Sequence, residues 1–196
     1  MNPSSALLGQ LAGSAPARIP WIIDTNGKRF FIEPLTGLPR VFIFGSGHIA
    51  QQLAVLTVLA GFKTTVLDDR RDYIIRRRFP LADEIVLLDS YARPFTGNSI
   101  DRESYIVILT RDPALDRQVL GTALATDAAY IGMIGSERKC RAIRNDLEQG
   151  GADPDTFSRL HAPIGLAIGA ETPEEVAISI AAEMIQHRAI CTHTAQ

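Results

Sequence analysis

At 196 residues, with 46% hydrophobic and 21% charged side chains, the chain has the composition of an ordinary globular domain able to bury a sizeable core. Twenty Lys and Arg against 22 Asp and Glu give a formal net charge of −2, which excludes a nucleic-acid or membrane partner recruited by bulk electrostatics. There is no apolar run long enough for a membrane span, no basic-then-apolar leader, and no metal-like spacing of Cys140 and Cys191, so a reduced, cytoplasmic protein without a metal site is expected.

Residues 1–18, rich in Ser, Ala, Gly and Pro, read as a lead-in. Trp21–Asp24 and Arg29–Glu33 are β-prone runs around Asn26-Gly27, a strong hairpin signal. Two domains are therefore expected, a lead-in with hairpin over 1–36 and a larger unit over 37–196. That unit opens on the strand Val41–Phe44, followed by Gly45-Ser46-Gly47 and a helix carrying Ile49, Leu53, Leu56 and Ala60 at helical spacing, ended by Gly61. Lys63–Asp68 is a second strand ending in acid. Arg70–Phe79 is basic and predicted as a short helix stopped by Pro80. Glu84–Leu88 is a third strand, and the Pro/Gly/Asn-rich stretch through Asn98 is the crossover to a second half.

The second half begins with Tyr105–Leu109, an unbroken apolar run of the kind buried on both faces of a parallel sheet. Asp112-Pro113 supplies an N-cap and first-turn proline for a helix to about Thr126. Tyr130–Ile134 is the next strand, and Gly135-Ser136 opens a polar helix ending at Gly150-Gly151. A short capped helix at Asp153-Pro154 and a glycine-punctuated run, Pro163–Gly169, follow. Thr172-Pro173-Glu174-Glu175 is a capping box starting a helix with Ala177, Ile180, Ala181 and Met184 on one stripe. Strands alternating with helices predict an α/β fold, a doubly wound, mostly parallel Rossmann-like sheet.

Gly45-Ser46-Gly47-His48-Ile49-Ala50 has the G-x-G-x-x-A form of a dinucleotide-binding fingerprint. Gly45 allows the tight turn, Gly47 lets a pyrophosphate approach the backbone, and the N–H groups of the helix start at His48 and Ile49 would hold the phosphates. Asp68, about twenty residues on, stands where a carboxylate accepts from ribose hydroxyls. Asp69, Arg70 and Arg71 follow it. An acid at the strand end leans towards NAD, arginines towards a 2′-phosphate, and the choice stays open. Thr110-Arg111 ends the strand over 105–109 at the same edge, with Arg111 a second anion contact unless it pairs with Asp112 or Asp116. Gly135-Ser136, with Arg138 and Lys139 in the first helical turn, makes another helix start there.

No Ser-His-Asp order, H-E-x-x-H, C-x-x-C or Walker lysine motif occurs, and no catalytic residue is assigned. About 60 residues follow the strand at 130–134, too few for a separate substrate domain, so binding is better supported than turnover. The rival reading is a small NAD(P)-dependent oxidoreductase with its substrate pocket in residues 135–170. A nucleotide-sensing regulatory module is a third. A homodimer is compatible with each.

Gly45–Ala50, Val66–Arg70, Arg78-Phe79-Pro80, Tyr130–Ser136, His161–Leu166 and Ile168–Glu175 stand in an order and spacing that resemble the C-terminal Rossmann domain of the XdhC/CoxI family over roughly residues 30–188. The run from Pro163 to Glu175 is its most specific part, since general Rossmann architecture does not require it. The resemblance implies a xanthine dehydrogenase accessory protein, a chaperone that binds molybdenum cofactor of the molybdopterin type and hands it to an apo molybdenum hydroxylase. Family members usually carry an additional N-terminal domain with cysteine- and glycine-containing motifs. Here a short lead-in and hairpin stand in that place, which leaves two expectations open: a lone Rossmann module that works with a separately encoded partner of that type, or one that retains only nucleotide binding. The loop Thr110-Arg111-Asp112-Pro113-Ala114 also departs from the family's usual Thr-Arg followed by a Gly/Asp-His pair.

Overall fold

The computed structural model describes residues 21–25, 28–32 and 37–193. They divide into two compact units, Leu38–Met184 and the rest. Outside the larger unit, β1 (Trp21–Thr25) and β2 (Lys28–Ile32) pair antiparallel, Trp21 with Ile32 and Thr25 with Lys28. The expected lead-in and the Asn26-Gly27 turn lie outside the described residues.

The larger unit is built on six parallel strands: β3 (Arg40–Phe44), β4 (Lys63–Asp68), β5 (Glu84–Leu87), β6 (Ser104–Ile108), β7 (Tyr130–Met133) and β8 (Leu160–His161). Their order across the sheet is β5-β4-β3-β6-β7-β8. The chain therefore builds outwards from β3 in one direction, returns, and builds outwards in the other, with β3 and β6 side by side at the reversal. This is the doubly wound order with a topological switch point. Among the described residues the return from β5 to β6 is made by turns rather than a helix.

Alternate residues of the central strands face opposite sides, and each side is dry. Val41, Ile43, Val66, Val107 and Tyr130 pack with α1 (His48–Leu59) through Ala50, Leu53 and Ala54, and with α4 (Pro173–His193) through Ala177, Ile180 and Met184. Phe42, Phe44, Leu67, Ile106, Ile108 and Met133 pack with α2 (Pro113–Leu124) and α3 (Glu137–Gln149) through Val119, Leu120, Ala123 and Ile143. Each large aliphatic side chain buried in this way contributes about 1.5–3 kcal/mol. Strands hidden on both faces need continuous apolar runs, which is why 41–44 and 105–108 contain nothing else.

One predicted element is corrected. Residues 70–79 form successive turns, closed by Tyr73 N–H to Arg70 carbonyl and Phe79 N–H to Arg76 carbonyl, not a helix. Only Ile74 and Phe79 of this stretch are deeply buried, too few for a helical stripe. Its arginines bond elsewhere: Arg76 donates to the Phe79 and Ala82 carbonyls, and Arg78 to the Ser46 carbonyl. A 3-10 helix, Pro154–Arg159, takes the place of the short helix expected there.

Candidate functional site

The carboxyl ends of β3, β4 and β6 converge at the switch point, and the loops leaving them carry most of the residues expected to bind. Gly45 takes φ +116, and a Cβ there would lie 2.2 Å from the Leu109 carbonyl oxygen. Only glycine fits, because the turn after β3 passes directly against the end of β6. Gly47 differs: its φ is −72, open to any residue, and a Cβ would meet nothing within 4 Å. Space lies in front of its backbone.

Gly47 is also the N-cap of α1, and among the described residues no side chain caps this helix. The first N–H groups of a helix have no intrahelical acceptor. At α2 the Asp112 carboxylate accepts from Ala114 N–H, at α3 Ser136 from Lys139 N–H, and at α4 Thr172 from Glu175 N–H. At α1 the donors of His48, Ile49 and Ala50 are left to whatever lies before them, with the positive end of the helix dipole behind. No acidic side chain occupies the first turn. His48 is exposed there, Ile49 half-buried, and Ala50 packs into the core.

Asp68 stands at the end of β4, beside the turn, fully buried. Ser46 Oγ and Arg70 Nη2 donate to Oδ2 at 2.7 and 2.8 Å, while Arg70 N–H and Nε donate to Oδ1, both at 2.9 Å. Four donors fill the acceptor positions of a carboxylate. Burial alone would raise its pKa, but these hydrogen bonds outweigh burial and hold it at about 2. The acid expected to take ribose hydroxyls is thus engaged within the protein, and Ser46 is turned inward, away from the crevice. Asp69 is engaged too: the Arg111 guanidinium grips it at 2.5 and 2.9 Å, joining the loops after β4 and β6 on either side of the glycine turn. Arg111 therefore takes a partner across the switch point rather than Asp112 or Asp116.

The loop that holds Arg111 is itself anchored. Asp116, fully buried on α2, accepts from Thr110 Oγ1 at 2.6 Å and from Lys139 Nζ at 2.5 Å. Lys139 also donates to the Ile134 carbonyl at 3.1 Å. Its charge ties the loops after β6 and β7 together. Arg138 is exposed. Gly135 and Ser136, at the end of β7, sit beyond β6 from the turn. Gly135 borders a groove of about 380 Å³ lined by Ile134, Pro163, Leu166, Ala167 and Ile168.

Three features of this edge had no local signal in the sequence. Arg78 donates from Nη2 to the Ser46 carbonyl at 3.0 Å, and Gln51, with its amide oxygen turned towards it, accepts from Arg78 at 2.8 and 3.0 Å. Tyr73 lies against two guanidiniums, with Arg70 4.0 Å and Arg78 4.9 Å from its ring centre. The Tyr91 hydroxyl is buried and, among the described residues, has no hydrogen-bond partner; burial together with Asp68 and Asp69 nearby raises its pKa. Among the described residues no group of His, Cys, Asp or Glu is placed to hold a metal ion.

A parallel sheet wound in both directions, with an uncapped glycine turn at its switch point, defines a Rossmann-type domain. Residues 41–184 match the family described as the XdhC Rossmann domain, and the chain belongs to that family. It is 30% identical over 163 residues to a probable xanthine dehydrogenase subunit of Bacillus subtilis, covering 81% of this chain and 46% of that protein. It is 32% identical over 164 residues to the uncharacterized protein YqeB of Escherichia coli, covering 83% of this chain and 30% of the relative. The crystal structure of a xanthine dehydrogenase from Bacillus halodurans superposes with a TM-score of 0.71 at 32% identity, over 86% of this chain and 48% of that one. The chain thus spans less than half the length of each of these relatives. Among the described residues no helix is long and apolar enough to cross a membrane.

Proposed function

We propose that this chain is an accessory protein of the XdhC type, holding a dinucleotide-type ligand at Gly45–His48 in the service of a molybdenum hydroxylase. The observation that carries the reading is the start of α1, where among the described residues no side chain caps the helix and a Cβ on Gly47 would meet no atom within 4 Å. An uncapped helix start at a switch point suits a pyrophosphate, which brings acceptor oxygens and negative charge to unpaired donors. In this reading the backbone of Gly47, His48 and Ile49 takes the phosphates, and His48 adds a donor from the rim. The groove beside Gly135 and Ile168 accepts the remaining, less polar end. The molybdenum cofactor in a nucleotide form and NAD(P) both present these groups. The hydroxylase partner is supported by the name of the Bacillus subtilis relative.

The test has two arms. Natively purified protein is denatured and the released small molecules are weighed by mass spectrometry, and the protein is co-expressed with an apo molybdenum hydroxylase and the complex captured. A released nucleotide or nucleotide-bearing pterin, together with a stable complex, is the expected outcome. Release of neither, with no thermal shift on adding NAD(P) or molybdenum cofactor, would overturn the ligand assignment; loss of the complex alone would overturn the partner.

A further inference from the structure

We infer that the crevice selects a nucleotide whose ribose carries an additional phosphate monoester over one with a free ribose diol. This preference rests on the crevice being a dinucleotide-type site and concerns which member of that class it takes. In a domain of this fold the ribose nearest the glycine turn lies against the end of the second strand, here Asp68 and the residues after it. A free diol there needs an open carboxylate. Neither candidate is open: Asp68 is fully buried with four donors on its two oxygens, and Asp69 is gripped by Arg111 through both of its own.

What this edge presents instead is cationic. Residues 70–78 contain five arginines and one aspartate. The Arg70 guanidinium is 29% exposed, and the nitrogens bound to Asp68 and Ser46 are Nε and Nη2, which leaves Nη1 to donate outward. Arg78 has a backbone carbonyl and an amide as partners, and among the described residues no carboxylate neutralises it. Tyr73 holds both guanidiniums in place by stacking, so they are preorganised beside the turn. Two guanidiniums beside the turn, one of them without a carboxylate partner among the described residues, offer charge-assisted donors to a phosphate monoester, whereas a diol would meet donors where it needs an acceptor.

A 2′-phosphate and a 3′-phosphate share this chemistry, and titration calorimetry on the full chain separates them. The ligand pairs are NADP⁺ against NAD⁺, and coenzyme A against its 3′-dephospho form. The phosphorylated member of one pair is expected to bind at least about tenfold more tightly, since a charge-assisted contact is worth about 1.5 kcal/mol or more; which pair discriminates identifies the position. Arg78→Gln is expected to remove most of that preference, read as the ratio of the two affinities within the discriminating pair. Equal affinity within both pairs, or tighter binding of the diols, overturns the inference while the dinucleotide reading stands. Binding of no nucleotide at all overturns both. Equal loss for both members in Arg78→Gln overturns the role given to Arg78.

Discussion

Gly45 and Gly47 stand two residues apart in one turn, yet a side chain at each would meet different surroundings. At Gly45→Ala the new Cβ is driven into the Leu109 carbonyl in a backbone region that alanine avoids, so urea denaturation should show a loss of at least about 2 kcal/mol. Gly47→Ala meets no protein atom and should stay within about 0.5 kcal/mol of the parent, while its methyl group enters the space assigned to the phosphates and weakens nucleotide binding. A large stability loss at Gly47, or unchanged binding, would contradict the assignment of that space. Asp68 gives a second test at this scale. Folding lowers its pKa from 3.8 to about 2, so its contribution is complete above about pH 4 and disappears as the pH falls towards 2. By linkage the parent should lose about 2 kcal/mol more than Asp68→Asn across that window, read by denaturant midpoints at each pH; parallel curves would mean the carboxylate is not held as described.

Among the elements, the starts of α1 and α4 are opposites. α4 begins with a complete capping box: Thr172 Oγ1 accepts from Glu175 N–H, and Glu175 accepts from the N–H groups of Thr172 and Glu171. Thr172→Ala should cost about 1 kcal/mol of stability and leave nucleotide affinity unchanged; calorimetric titration showing altered affinity would tie this helix to the site. Both starts were legible in the sequence because caps and glycine turns are local. So were β3, β4, β6 and β7, whose apolar runs follow from burial on both faces, and the more exposed β5; the two-residue β8 was not, being too short to carry such a run. The stretch 70–79 was not legible as turns, because what sets its path is a set of bonds to distant partners, Arg78 to Ser46 and Arg76 to Ala82. The same holds for the crevice. Its position could be read from Gly45–Ala50, but the closing of Asp68 by Arg70 and the reach of Arg111 to Asp69 depend on how three loops meet. The run Pro163–Gly169 also gains a structural account: Gly165, at φ +102, lies against Ser179 and gives its N–H to Glu183, which also accepts from Tyr130.

At the scale of the whole molecule, the strand order places the loops after β3, β4 and β6 around one point, and family membership follows from residues 41–184. The reversal between β3 and β6 opens the crevice; the uncapped α1 gives it donors; Arg70 and Arg78 give it charge. All three serve the nucleotide site proposed at that turn. A protein of 21.4 kDa is well suited to mapping by amide chemical shifts. Titrating labelled protein with NADP⁺ should move the amides of Gly47, His48 and Ile49 together along one saturable curve, and Gly47→Val should abolish the effect. Absence of saturable shifts, or shifts centred away from this turn and unaffected by Gly47→Val, would contradict it.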